Sequence, residues 1–160
     1  PTRRSSDLWV LIFFSMFLGG STGSTAGGIK MARHLVLFKN ILRSFRQLVS
    51  PNAILPMKLN GNHISDDNNN SIITFIFVYL LVFAGGSMLV MVTGVNPGEA
   101  ASMVATTMAG IGPGIGSVGP VGNFAHIPEA AKMILPFLMI LGRLEIYTVL
   151  VLFSDNFWRK

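Results

Sequence analysis

The sequence predicts an all-α membrane protein: a broken transmembrane helix, then a helix, a half-length re-entrant helix with a glycine-rich return loop, and a last helix. Three observations carry this. Apolar residues make up 51% of the chain and charged residues 12%, where soluble domains carry about a quarter charged. A predominantly apolar, uncharged run from Ile72 to Val92 has about the 20 residues an α-helix needs to cross roughly 30 Å of hydrocarbon. Glycine recurs at 19, 20, 23, 27 and 28 and again at 110, 112, 114 and 116, beside apolar segments too short to span.

The first element, Leu8 to Leu18, is apolar but short; GGSTGSTAGG breaks it, and a helical pattern resumes from Ile29 to Val49. This reads as one spanning element, residues 1–49, interrupted in its middle. Met31, Leu35, Phe38, Leu42, Phe45 and Val49 stand three or four apart and form one apolar stripe flanked by cations. Arg3 and Arg4 ahead of the first run resemble the start of a signal peptide, but no A-x-A-like cleavage site follows. The chain opens on Pro1 rather than Met, which predicts a piece of a longer polypeptide.

Residues 50–71, with Pro51, Pro56, Gly61 and the Asp-Asp-Asn-Asn-Asn run, read as a polar linker. Lys30, Arg33, Lys39, Arg43, Arg46 and Lys58 all precede the Ile72 helix, while 93–129 carries almost no Lys or Arg, so the linker is expected in the cytoplasm. Trp158-Arg159-Lys160 returns the tail, 154–160, to the same side. For helix 72–92, Asn70 and Ser71 offer N-cap oxygens and Thr93-Gly94 a stop. Asn96-Pro97 opens a helix over 98–109 with Asn as N-cap and Pro at the first position, too short to span. The last helix, 131–153, is interrupted by Pro136 and Gly142 and carries Arg143 and Glu145 at mid-membrane depth.

Several function classes lose support. The net charge of +5 is concentrated beside hydrophobic segments, which fits membrane lipid flanks and not nucleic acid. There is no cysteine, hence no disulfide or thiolate metal site. GGSTGSTAGGIK is not a phosphate loop, because the Walker pattern needs Lys directly after the last Gly and then Ser or Thr, and here Gly28-Ile29-Lys30-Met31 breaks both requirements. His34, His63 and His126 lack metal-ligand spacing. Glu99 and Glu129 lie at helix starts, where carboxylates favour the dipole. No nucleophile and base pair emerges, so the chain reads as neither an enzyme nor a cofactor protein.

The chemistry lies in the glycines. Non-helical backbone at membrane depth is tolerated only where it is buried in protein or lines a water-filled path, and rings of carbonyls can replace the hydration shell of a monovalent cation. Gly110 to Gly116 is such a backbone, and the preceding helix aims its negative end at it. In the first stretch, Gly19, Gly20, Gly23, Gly27 and Gly28 permit alternate backbones, and Ser21, Thr22, Ser24 and Thr25 satisfy freed polar groups. An unpaired charge at the depth of Arg143 costs at least roughly 3 kcal/mol on insertion scales. It is therefore expected to face protein or water, as a barrier to cations or as a donor to the glycine loop; Glu145, two residues away on the helix, does not face it.

Taken together, GGSTGSTAGGIKMARH, AGIGPGIGSVGPVGNFAHIP and LMILGRLEIYTVLVLF resemble the carboxy-terminal part of the TrkH membrane subunits of the Trk/Ktr/HKT superfamily of potassium uptake proteins. The resemblance covers nearly the whole chain. It implies the second helix of a third repeat followed by a complete fourth repeat, 72–153, of helix, pore helix, filter and helix. Gly110, Ile111, Gly112, Pro113 and Gly114 would supply filter carbonyls, with potassium, as substrate, at Gly110, Ile111 and Gly112. Relatives often carry Asn at position 110. The loop 19–28 would be the intramembrane gate, and Arg143 and Lys30 the charges that guard it.

The resemblance further implies a multi-pass protein of the bacterial inner membrane, homodimerisation and control by a cytosolic nucleotide-binding subunit. Pro1 to Asp7 stands where a third filter should precede the loop, so conduction is expected of a longer parent. The competing reading is a non-conducting membrane scaffold in which small residues let helices pack closely.

Overall fold

The structure is a computed structural model and describes residues 3–21, 23–24, 27–50, 58–59, 62–63 and 66–143. Among these residues the regular structure is helical apart from one short ribbon. Helices α1 (Arg3–Ser15) and α2 (Met31–Val49) precede strands β1 (Lys58–Leu59) and β2 (Asn62–His63); α3 (Asp66–Val92), α4 (Pro97–Ala109), a 3-10 turn (Gly116–Val118) and α5 (Glu129–Arg143) follow. The strands pair antiparallel, Lys58 with His63 and Leu59 with Asn62. Residues 50–71, expected as a polar linker, hold this ribbon at their middle and the first turns of α3 at their end.

α3 begins six residues ahead of the expected position 72, so Asn70 and Ser71 lie inside the helix and do not cap it. Tertiary pairing overrides the poor helix propensity of the Asn run. Asn69 is buried and exchanges side-chain amide hydrogen bonds with Asn40 of α2 in both directions, Asn69 Nδ2 donating to Asn40 Oδ1 at 3.0 Å and Asn40 Nδ2 to Asn69 Oδ1. α3 ends at Val92, where the Thr93 and Gly94 N–H groups bond back to Val90 and Met91 and Gly94 takes φ +95°. Among the described residues α3 is the one helix long and apolar enough to cross a membrane.

α4 is the centre of the molecule. It packs against both α3 and α5, and eight of its residues are buried, from Ala100 to Ala109. Its 13 residues rise about 20 Å at 1.5 Å each, less than the hydrocarbon thickness. Small residues permit the packing: a β-carbon on Gly86 of α3 would lie 2.8 Å from Leu138 of α5. On the other flank, Phe17 meets Phe83 of α3 edge to face at 5.0 Å.

α2 departs from its amphipathic reading. Its stripe of Met31, Leu35, Phe38, Leu42, Phe45 and Val49 is exposed, and Val36 is the residue it buries. Between apolar side chains and lipid tails there is no hydrophobic penalty, so membrane helices associate through close packing and polar contacts. Here those are the Asn40–Asn69 pair and the Arg33 guanidinium, 3.9 Å above the Phe75 ring of α3.

Candidate functional site

The site is the segment that returns from α4. The helix closes on Gly110 at φ +69°, with the Gly110 N–H donating to Thr107 O at 3.2 Å and the Ile111 N–H to Thr106 O at 3.0 Å. This pair is the Schellman closure, which requires a left-handed residue at the turn. Asn96 occupies the other end, but its side chain makes no capping bond; its backbone carbonyl accepts the Ala100 N–H at 2.8 Å, and Pro97 stands at the first helical position.

Beyond Gly110 the chain runs back alongside α4 without regular structure until residue 116. One face of α4 holds it. Thr106 Oγ1 donates to the Gly112 carbonyl at 3.0 Å, the Ile115 N–H donates to Ser102 Oγ at 2.6 Å, and the Ser117 N–H donates to Glu99 Oε1 at 3.3 Å. Positions 99, 102 and 106 are three and four apart and so share a face. Ser102 and Thr106 are 1% and 0% exposed, so without the loop backbone their hydroxyls would be stranded, at a cost of about 1–3 kcal/mol each. The 99, 102, 106 spacing is present in an otherwise Ala-, Met- and Val-rich helix, but the sequence marks only Glu99, as a dipole partner, because nothing local tells a tethering hydroxyl from one bonded within its own helix.

The loop's glycines serve different ends. Gly112, at φ +99°, has open space where a side chain would go, so its backbone angle demands glycine. Gly114 is buried, and a β-carbon there would lie 2.7 Å from Val118 and 3.2 Å from Ser102 Oγ. Gly110, Ile111, Gly112 and Pro113 are exposed in this chain. The loop, Trp9 and Ile12 of α1, and Met16 just beyond it line a cavity of about 390 Å³ that reaches Pro113 and Gly114.

Arg143, Gly27 and Gly28, from the other candidate sets, meet at the carboxyl end of α4. A β-carbon on Gly110 would lie 3.4 Å from Arg143 Nε, which puts a cation beside the negative end of the helix dipole. Gly142 packs against the Met108 carbonyl, and a β-carbon on Gly27 would lie 3.0 Å from that same oxygen. Gly27 and Gly28 are therefore docked against the carboxyl end of α4. The neck of the 19–28 segment is closed by the Gly19 N–H donating to Ile29 O at 3.0 Å and the Met31 N–H to Gly20 O at 3.1 Å. Gly20, Ser21, Gly23, Ser24 and Gly28 lie between these ends, and Lys30 directly precedes α2. Thr22 and Thr25 lie outside the described residues, as do Glu145, the last part of the expected helix 131–153 and the 154–160 tail.

At the opposite end of α4, His126 Nε2 is 3.0 Å from Ser117 Oγ, and Lys132 Nζ bonds both the Ala125 carbonyl and Glu129 Oε1, at 3.0 and 2.9 Å. These contacts secure the descent from the loop into α5. None of them touches residues 110–114.

Comparison with known proteins agrees with this architecture. The crystal structure of the potassium transporter TrkH from Vibrio parahaemolyticus superposes with a TM-score of 0.87 at 37% identity, over 96% of this chain and 32% of that one. The Trk system potassium uptake protein TrkH of Salmonella typhimurium is 40% identical over 151 residues, and TrkI of Halomonas elongata 38% identical over 153. Each alignment takes in at least 94% of this chain and 31% of the relative, so the chain spans about a third of the length of the curated relatives it matches. The family model described as a cation transport protein, TrkH, matches residues 5–160. A membrane protein on these grounds, the chain belongs to the TrkH family of cation transport proteins.

Proposed function

We propose that this chain forms part of a potassium-conducting path across the bacterial inner membrane, within a multi-pass protein. α4 acts as a pore helix, the backbone at Gly110, Ile111, Gly112, Pro113 and Gly114 as one filter segment, and α1 with α2 as a spanning element broken by the 19–28 gate loop. The relatives at about 40% identity are named Trk system potassium uptake proteins, and that substrate is carried over here. Homodimerisation and a cytosolic nucleotide-binding regulator belong to the same reading.

One observation carries it: a glycine-rich, non-helical backbone runs antiparallel to a helix of half-membrane length and is tethered to it by three side chains. Backbone so arranged has polar atoms to spare, and at membrane depth it persists only where it lines a hydrated path or is buried in protein. Arg143, beside Gly110, and the docked 19–28 loop stand on the inner side of the path, where a cation leaving the filter must pass.

The test is uptake by the full-length protein in a bacterial strain lacking its own potassium systems. Gly112→Ser is expected to lower the ratio of potassium to sodium uptake by about tenfold, the equivalent of roughly 1.4 kcal/mol of lost discrimination. A parental ratio in that variant would remove residues 110–114 from ion selection.

A further inference from the structure

The bonds along α4 fix more than the position of the loop; they fix which way its carbonyls point. A peptide unit is planar and trans, so its N–H and C=O are directed to opposite sides, and no peptide here is cis. The Ile115 N–H is directed at Ser102 Oγ. The carbonyl of the same unit, that of Gly114, is therefore directed away from Ser102, to the side on which the cavity with α1 lies. Two residues earlier the sense is reversed: the Gly112 carbonyl is directed toward α4 and accepts from Thr106.

Pro113 makes that reversal compatible with a cation path. The unit joining Gly112 to Pro113 has no N–H, so turning its carbonyl toward α4 presents no positive donor on the cavity side. Any other residue at 113 would aim an N–H there. Gly114 in turn must be glycine for space, with Val118 and Ser102 Oγ in the way of a β-carbon.

We propose that Ser102 and Thr106 are positioning residues for ion selection, Ser102 by aiming the Gly114 carbonyl into the α1-side cavity and Thr106 by holding the Gly112 carbonyl on the α4 side, so that the Gly112–Pro113 unit turns no donor toward that cavity. This rests on the reading of 110–114 as an ion-coordinating segment and deepens it. Coordination geometry must be held to within about 0.5 Å to discriminate, and it is held by supporting hydrogen bonds of this kind.

The experiment measures potassium and sodium uptake by the full-length protein, normalised to the amount inserted in the membrane, for Ser102→Ala, Thr106→Val, Thr106→Ser and Gly112→Ser. Loss of one buried hydrogen bond, worth about 1 kcal/mol, predicts an approximately fivefold fall in the potassium-to-sodium ratio and a raised KM for potassium in Ser102→Ala and Thr106→Val. Thr106→Ser, which keeps the hydroxyl, is expected to stay within about twofold of the parent by the same reckoning. Should Ser102→Ala not accumulate, the Thr106 pair decides alone. Parental ratios in Ser102→Ala and Thr106→Val alongside a relaxed Gly112→Ser overturn this inference and leave the ion path standing. A Thr106→Ser variant as unselective as Thr106→Val also overturns it, because the hydroxyl would then not be the cause. If Gly112→Ser too is parental, the ion path itself falls.

Discussion

The bare α-carbon of Gly142 on α5 rests against the carbonyl oxygen of Met108, the last residue but one of α4. That contact lets α5 approach closely enough to bring the next residue, Arg143, beside Gly110. Gly142→Ala would drive a methyl group into fixed backbone, and overpacking of that kind costs about 1–3 kcal/mol. The variant is expected to lower the thermal midpoint of the detergent-solubilised protein and to reduce uptake together, read by a melting curve and a tracer assay on one preparation.

Arg143 should limit flux without setting preference. It lies beside the left-handed Gly110, whereas the Ser102 and Thr106 hydroxyls bond the Ile115 N–H and the Gly112 carbonyl. A cation passing it meets repulsion of about 1–4 kcal/mol at 4 Å, for effective dielectrics between water and a protein surface. Arg143→Ala is expected to raise maximal potassium uptake severalfold at an unchanged potassium-to-sodium ratio. A change in the ratio with constant flux would mean that Arg143 supports the filter instead.

The 19–28 loop is expected to act in the same direction. Gly27 docks against the carbonyls of Met108 and Ala109, where a β-carbon would lie 3.0 and 3.1 Å from the two oxygens. Gly27→Val should undock the loop, and shortening the stretch between Gly20 and Gly28 should leave the Gly19–Ile29 neck intact. Both are expected to increase flux in single-channel or tracer recordings. Parental rates in both would end the case for a gate here.

Asn40 and Asn69 form a closed pair between α2 and α3. Replacing one strands the other, a cost of about 1–3 kcal/mol, whereas removing both amides together should cost less than the sum. A double-mutant cycle on Asn40→Leu and Asn69→Leu is expected to give a coupling of about 1 kcal/mol, near the upper range for membrane hydrogen bonds. Additive effects would mean that water satisfies each amide alone.

Much of the architecture was legible. The apolar run ending at Val92 specified α3 because length and hydropathy alone set a span; Pro97 and Gly110 bracketed α4 because proline's fixed φ and missing N–H suit a first helical position and glycine readily closes a helix. The beginning of α3 was misplaced because Asn68 to Ser71 has weak helix propensity, and its partner is 29 residues away in the chain. The stripe on α2 was legible as a pattern but not as a packing face: apolar periodicity does not distinguish a protein neighbour from lipid.

By itself the sequence determined the local terms: which segments are helical, where glycine breaks them, and that main-chain polar groups in 19–28 and 110–116 need partners. Only the tertiary structure decided who those partners are. Helical spacing puts Glu99, Ser102 and Thr106 on one face, but which peptide of the returning chain lies opposite each depends on the left-handed turns at Gly110 and Gly112. A rotation of one peptide plane exchanges donor for acceptor. The direction of every carbonyl in the loop is thus a property of contacts made across space, and residue order does not encode it in any window of neighbours.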